Sequence, residues 1–374
     1  MSSEASGPLA WLEIDLKNIA WNLTQIRALV GQAMIMAVIK NNAYGHGMVE
    51  VARFLASQGV EFFGVVGVME GRQLRAKGIG AEILNLGFFS RGEVADIVEA
   101  GITQALFREE DARCLAEEAG RQRKPVKVHI KVDTGLGRLG VPHDQAVSFV
   151  EMVHGLEGLE IEGIFSVLTE EPEFDRIQLS RFLTVTDTLE KRGITTIRLK
   201  HLASSAAILD LAEAHLDLVR PGIMLYGWYP SLSARQEGKI ALRPAMSLKA
   251  RVGYIKTIPA GEGVSYHRRF RVERETGIAT LPIGYCEGYP KGMSQGGQVL
   301  IGGKRYPIVG DVCANLSMVA LGQDRAVTVG DEAVLMGKQG EDEITADDIG
   351  QIVAQSCYHV VSGMSARLPR LYLK

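Results

Sequence analysis

An α/β plus all-β architecture, with an N-terminal (β/α)8 TIM barrel and a C-terminal mainly β domain, is the fold this chain predicts. Three observations carry it. Apolar runs alternate with helical stretches from Met34 to about Tyr229, eight runs in all. The texture then changes to β-branched and aromatic runs broken by glycine. And 374 residues exceed one small core but suit a large domain beside a smaller one.

The runs read as barrel strands are Met34–Ile39, Phe62–Val68, Ile83–Leu86, Gln104–Phe107, Val126–Val132, Ile161–Val167, Ile197–Leu202 and Leu216–Val219. Segments between them, such as Val49–Leu55 and Phe182–Lys191, carry apolar residues at helical spacing. Beyond residue 240 the strand candidates are Ser247–Ile258, Thr276–Pro282, Gln298–Ile301, Tyr306–Val309, Met318–Leu321 and Glu332–Met336. Turn signals at Pro259–Gly263 and Gly302–Arg305 separate them. The domains are therefore expected at 1–240 and 241–374, with the boundary near Pro230–Lys239. Trp11–Leu16 alternates in polarity like a strand and could pair with the β domain rather than open the barrel.

Hydrophobic residues make up 46% of the chain and the net charge is −3, with no basic stripe, which disfavours nucleic acid as a partner and favours small-molecule chemistry. The stretch Met1–Pro8 has neither the basic nor the apolar region of a secretory signal, and no run reaches membrane-spanning length. A cytoplasmic protein without membrane association is expected. Cys114, Cys286, Cys313 and Cys357 lie far apart, so neither a disulfide framework nor a metal site is indicated, and buried thiols are the default.

Lys40 is the most informative residue. It closes the apolar run Met34–Ile39 and precedes Asn41-Asn42-Ala43-Tyr44-Gly45-His46-Gly47. An amine delivered to the carboxyl edge of a parallel sheet is costly to keep charged, so its pKa should fall and the neutral form become a nucleophile or base. The alternative is a strand-terminal lysine reaching solvent.

The segment from Lys40 to Gly47 resembles the pyridoxal-phosphate attachment site of the alanine racemase family, and further blocks follow in family order. They are Lys131–Gly140, His201–Ala206, Arg220–Gly227, Val264–Tyr266, Ile283–Pro290 and Arg367–Arg370. The resemblance implies a homodimeric amino-acid racemase with shared sites, in which Lys40 carries pyridoxal 5'-phosphate as an imine and serves as the base on one face of Cα. Tyr266, supplied by the partner subunit, is the base on the other face. It needs a cationic or donor neighbour to lower its pKa, and His201 is expected to bridge it to the arginine. Arg220 faces the pyridine nitrogen, where a guanidinium donates a hydrogen bond but gives up no proton. Tyr44, Ser205, Gly222 and Ile223 are implied phosphate partners, the two last following the eighth strand, where barrels often bind phosphate. Arg138 is implied to reach the ring's phenolic oxygen and the substrate carboxylate, and Lys131 to be carbamylated so as to position it. Tyr285 and Ala314 occupy substrate-lining positions. Read without the family, Tyr266 could be a half-buried strand residue, Tyr285 a core tyrosine, Arg220 a rim arginine and Lys131–Asp133 a surface pattern.

The chain departs from the family at several positions. Val167 stands where a histidine usually packs on the cofactor ring, Ala314 and Asn315 replace Met-Asp, Ala366 replaces a tyrosine found in some members, and Ser204 replaces an asparagine. The changes at Val167, Ala314 and Ala366 each remove on the order of tens of Å³ and polar atoms, predicting a larger, more apolar pocket. Either amino acids bulkier than alanine are accepted, or alanine is turned over slowly. Two rivals remain open. A decarboxylase of the same fold would want an acidic partner for the ring nitrogen and a β-domain cysteine, for which Cys313 is placed. A non-catalytic pyridoxal-phosphate-binding protein would lack the C-terminal domain and Tyr266.

Overall fold

The computed structural model describes residues 7–374. Residues 1–6, part of the stretch on which the localisation expectation rests, lie outside it. The chain divides into two compact units. One comprises 20–43 and 48–243; the other takes the residues through Ile19, the short insert Tyr44–Gly47 and everything from Pro244 onward.

The first unit is the barrel. After β1 (Ala10–Asp15), which belongs to the other unit, its strands are β2 (Met34–Val38), β3 (Phe62–Val65), β4 (Glu82–Asn85), β5 (Thr103–Leu106), β6 (Val126–Asp133), β7 (Val141–Pro142), β8 (Leu159–Phe165), β9 (Leu199–His201) and β10 (Leu218–Val219). Their parallel order is β10-β2-β3-β4-β5-β6-β8-β9, with the two-residue β7 added to the end of β6. A parallel bridge between Ser204 and Arg220, just past β9 and β10, joins the two ends of that order. All eight expected barrel strands are present. Phe62–Val68 ends earliest, at Val65, because Val68 already opens the helix Val68–Ala76, and Ile161–Val167 ends at Phe165.

The interior is not uniform. Met36, Leu84 and Leu218 form an apolar layer with Phe62 and Leu86 packed against it. Strands β6, β8 and β9 and the residue after β10 instead bury His129, Lys131, Glu162, His201 and Arg220. Buried polar groups need partners inside the protein, so this wall is where specific chemistry is to be sought. The unit runs to Arg243, past the expected Pro230–Lys239 boundary. Leu232–Glu237 forms a helix, and Asn22 accepts from Arg243 N (2.8 Å) while donating to Arg243 O (2.9 Å).

In the second unit, β1 pairs antiparallel with β11 (Met246–Arg251) and parallel with β21 (Arg370–Leu373). The remaining strands are β12 (Tyr254–Ile258), β13 (Gly263–Val264), β14 (Phe270–Arg271), β15 (Thr276–Leu281), β16 (Gln298–Ile301), β17 (Lys304–Pro307), β18 (Ser317–Gly322), β19 (Glu332–Gln339) and β20 (Asp342–Ile344). They make a sheet ordered β17-β16-β19-β11-β1-β21, a three-stranded sheet β12-β15-β18 and a small β13-β14 pair. The single run expected over Ser247–Ile258 is two strands in different sheets, broken at Val252–Gly253. None of the four cysteines is in a disulfide, and only Cys357 of them is buried. Among the described residues no helix is long and apolar enough to cross a membrane.

Candidate active site

Lys40 follows β2 directly after Ile39, and the backbone then turns the wrong way. Asn41, Asn42, Ala43 and Tyr44 have φ of 54°, 55°, 55° and 50°. Each such residue costs about 1–2 kcal/mol, least for asparagine, so this left-handed turn must be held. Glu70 holds it from the next β/α loop, accepting from Asn41 N (2.7 Å) and Val66 N (3.0 Å). Asn42 Oδ1 accepts from Met48 N (2.9 Å), starting the following helix, and Ala43 N donates to Ile39 O (2.8 Å).

Burial lowers the Lys40 pKa, the Arg138 charge lowers it further, and Glu70 opposes both. Lys131 is brought down to about 8 by burial and by the charges of Arg220, Arg138 and Lys40, against Asp133. At 6% exposure Lys131 is no surface residue. Four cations thus act on one another at this end of the strands, beyond what Asp133 and Glu70 balance. That arrangement suits anionic groups.

Arg220 is buried, and burial lowers its pKa too. Its guanidinium donates to Ser166 O (2.7 Å), Leu202 O (3.0 Å) and His201 Nδ1 (2.9 Å). The His201 ring stacks on Phe165 with centroids 4.8 Å apart and planes at 6°, and its Nε2 lies 2.8 Å from His129 Nδ1. Both ring nitrogens are therefore engaged inside the barrel. The expected bridge from His201 to Tyr266 is corrected on that ground: no imidazole nitrogen is left for a phenol.

Ser205 is buried and its Oγ accepts from Gly222 N (3.1 Å), so the hydroxyl and the Gly222–Ile223 backbone meet after β9 and β10. Arg138 is exposed on the loop after β6, which is shaped by Asp133 Oδ1 accepting from Gly135 N (2.9 Å) and Gly137 N (3.1 Å). Val167 is half-buried, its carbonyl accepting from Gln178 Nε2 (3.2 Å).

Tyr44 belongs to the second unit, where its buried ring lies 6.3 Å from that of Tyr358 and burial pushes its pKa up to about 12. Gly45 and Gly47 make the insert fit: a Cβ would meet Val361 O at 2.3 Å and Tyr372 Oη at 1.9 Å. Tyr266 opens a short turn and is 68% exposed, so it is not a half-buried strand residue. Its neighbours are strained, with Ser265 at φ 66° and ψ −168°, His267 at φ 59° and Arg268 at φ 48°. Ser265 Oγ donates to Asp311 O (3.3 Å), tying this turn to the loop that carries Ala314. Tyr285 N donates to Cys313 O (3.1 Å) and Cys286 N to Ala314 O (2.9 Å), so the two expected substrate-lining residues are neighbours. Tyr285 is 49% exposed and no core residue, and Ala366 is also exposed.

Comparison with known proteins places nearly the whole chain in one family. The family profile "Alanine racemase, N-terminal domain" matches 14–230 and "Alanine racemase, C-terminal domain" matches 245–372. This chain belongs to the alanine racemase family. It is 42% identical to an alanine racemase of Carboxydothermus hydrogenoformans over 97% of this chain and 99% of that one. The solved alanine racemase of Clostridium difficile superposes with a TM-score of 0.93 at 34% identity, covering 98% of this chain and 96% of that one. A histidine racemase from Leuconostoc mesenteroides subsp. sake gives 0.90 at 27% identity, covering 99% of each. The family's phosphate-bearing cofactor fits the residues present. Lys40 offers an amine whose charged form burial disfavours, Ser205 and the Gly222–Ile223 turn offer donors, and the four cations offer charge for an anion. The sequence reading missed His129, Glu162 and Glu70. His129 and Lys131 sit two apart on one strand and so share a face, which was the available signal.

Proposed function

We propose that this chain is an amino-acid racemase that uses pyridoxal 5'-phosphate and two bases, Lys40 and Tyr266 of the partner subunit, with alanine as its first substrate. The observation that carries the reading is a strand-end lysine of lowered pKa on a barrel whose buried arginine donates to two carbonyls and an imidazole and, among the described residues, pairs with no carboxylate. When bound, the cofactor supplies an electron sink for the carbanion left by α-proton loss. Lys40 would hold it through its amine, Ser205, Tyr44, Gly222 and Ile223 would receive the phosphate, and Arg138 would orient the substrate carboxylate.

Arg220, a guanidinium with donors only, would donate a hydrogen bond to a pyridine nitrogen held there without giving it a proton. A decarboxylase would profit from an acid in that place. Lys40 would take or return the α-proton on one face with its neutral amine. Tyr266 does so on the opposite face. A 68% exposed tyrosine on a strained turn suits a group that finds its working surroundings on a second copy, which supports an obligate homodimer with shared sites. The α-hydrogen exchange of each amino acid in deuterated solvent tests the proposal: the holoenzyme is expected to exchange alanine and interconvert its enantiomers. Cofactor binding with no exchange for any amino acid would leave a non-catalytic binding protein, and carbon dioxide release would leave a decarboxylase.

A second reading is favoured by the small residues Val167, Ala314 and Ala366. Under it the pocket takes longer side chains as well, and kcat/KM rises from alanine to larger substrates. A maximum at alanine would remove this second reading.

A further inference from the structure

A chain of four side chains runs through the polar wall of the barrel. Arg220 donates to His201 Nδ1 (2.9 Å), His201 Nε2 lies 2.8 Å from His129 Nδ1, and His129 Nε2 lies 3.4 Å from Glu162 Oε2. None of the four is more than 6% exposed. Glu162 Oε1 is also met by Lys127 Nζ (2.9 Å) and Arg198 (2.9 Å), the second of which is largely exposed. The line therefore leads from the buried guanidinium to a carboxylate that outer cations help hold.

The proton positions follow from what each atom can do. A guanidinium has only donors, so His201 Nδ1 must accept and carry no proton. The His201 proton then sits on Nε2 and is donated to His129 Nδ1. That nitrogen must accept as well, which leaves the His129 proton on Nε2, facing the carboxylate. One arrangement satisfies every link, and it contains two neutral imidazoles. Burial lowers the pKa of both histidines, and the charge of Arg220 lowers both further, outweighing Glu162 at His129. Burial raises the Glu162 carboxyl, but hydrogen bonds from His129 and Lys127 bring it down to about 2.

The fold makes room for this line. The β6–β8 pairing slips between Val128 and His129, and His129 sits opposite Gly163. A Cβ on Gly163 would lie 2.6 Å from both Cε1 and Nδ1 of the His129 ring. A hydrophobic barrel wall needs neither a bulge nor a glycine here. Both serve to seat the imidazole.

We propose that Glu162 is a positioning residue that fixes, through His129 and His201, the one proton arrangement in which Arg220 is held by an imidazole acceptor. Its bearing on catalysis rests on the racemase reading above; the proton arrangement does not. Without an acceptor at 162, His129 gains a second choice of tautomer. A proton on its Nδ1 would turn His201 around, and His201 Nδ1–H would then oppose an Arg220 N–H. The guanidinium would shift from the place it needs beside the cofactor nitrogen.

The test is long-range 1H–15N correlation spectroscopy of 15N-histidine holoenzyme, with kinetics on the same samples. In the wild type His129 and His201 should both appear as neutral Nε2–H tautomers that do not titrate between about pH 6 and about pH 9, where an ordinary histidine would. Glu162→Gln keeps an acceptor oxygen and should keep both tautomers, with kcat within about threefold. Glu162→Leu should give mixed tautomers and a kcat lower by about tenfold, the scale of lost second-layer partners. KM for alanine should stay within about twofold, since Arg220 does not hold the substrate carboxylate. Gly163→Ala should disturb the same signals with Glu162 in place. An imidazolium or an Nδ1–H tautomer at either histidine in the wild type overturns the proposal, as does a folded Glu162→Leu with unchanged tautomers and kcat. If Glu162→Leu does not fold, the wild-type spectrum and Gly163→Ala decide. A wild-type holoenzyme that exchanges no α-hydrogen defeats the racemase reading instead, and leaves the tautomer result standing.

Discussion

The two proposed bases sit in opposite circumstances. Lys40 ends a buried strand, its charged form disfavoured by burial and by Arg138, on a turn tethered by Glu70. Tyr266 stands 68% exposed, flanked by three non-glycine residues at positive φ. One base is prepared by its own chain. The other is presented outward at a cost of about 1–3 kcal/mol per strained residue, and strain is kept where a function over-determines it. The difference teaches that one proposed base draws its properties from its own chain, whereas the other is left to surroundings its own chain does not supply.

The comparison can be broken most sharply at Lys40. Lys40→Ala should lower racemisation by about 10³-fold or more, removing both the cofactor attachment and a base, read as α-hydrogen exchange of either enantiomer. A residual rate within tenfold of wild type would show that another amine serves. Tyr266→Phe should lower racemisation by about 10²-fold while Lys40-face exchange of one enantiomer persists. Equal loss for both enantiomers would mean that the phenol does more than accept one proton. Mixing Lys40→Ala with Tyr266→Ala should restore about a quarter of the activity through one intact site per heterodimer if subunits exchange statistically. No recovery despite proven exchange would place both bases in one chain.

Smaller effects sharpen the barrel side. Lys131, at about 8, binds fewer protons when folded than when unfolded. Its contribution to stability should therefore rise with pH between about 8 and about 10.4, by at most about 1.4 kcal/mol per pH unit, and is absent below that window. Urea titrations of apoprotein across that range measure it as the part of the slope that Lys131→Met loses. The same neutral amine should take up carbon dioxide, giving a carbamate signal with 13C-bicarbonate that Lys131→Met lacks. The smallest change is expected for Glu70→Gln, which weakens two backbone contacts, costs about 1 kcal/mol and slows turnover a few-fold. An unchanged melting temperature would show that the left-handed turn holds itself.

Much of this was legible in the chain. The eight barrel strands follow from apolar runs of strand length, because a strand buried on both faces has little choice of residue. Lys40 and the Lys131–Arg138 segment stand out because a charge after such a run needs a reason. The site's electrostatics were legible only in outline. His201 meets Arg220 as expected, but its other nitrogen meets His129, because hydrogen-bond partners are chosen across strands, and Glu162, His129 and Gly163 lie on two strands whose bulged register no local pattern reveals. The left-handed turn hides in an ordinary Asn-Asn-Ala-Tyr because Ala43 and Tyr44 carry no mark of positive φ.

The sequence by itself determined that strands alternate with helices, that a β unit follows, and that a lone lysine ends the first barrel strand, since periodicity and burial act along the chain. Tertiary structure alone decided which nitrogen of His201 meets Arg220, that β1 joins β11 and β21, and that Tyr44–Gly47 is claimed by the second unit. The physical reason is range. Patterning is read over neighbours in sequence, whereas a buried polar group is satisfied by whatever the fold brings within about 3 Å of it.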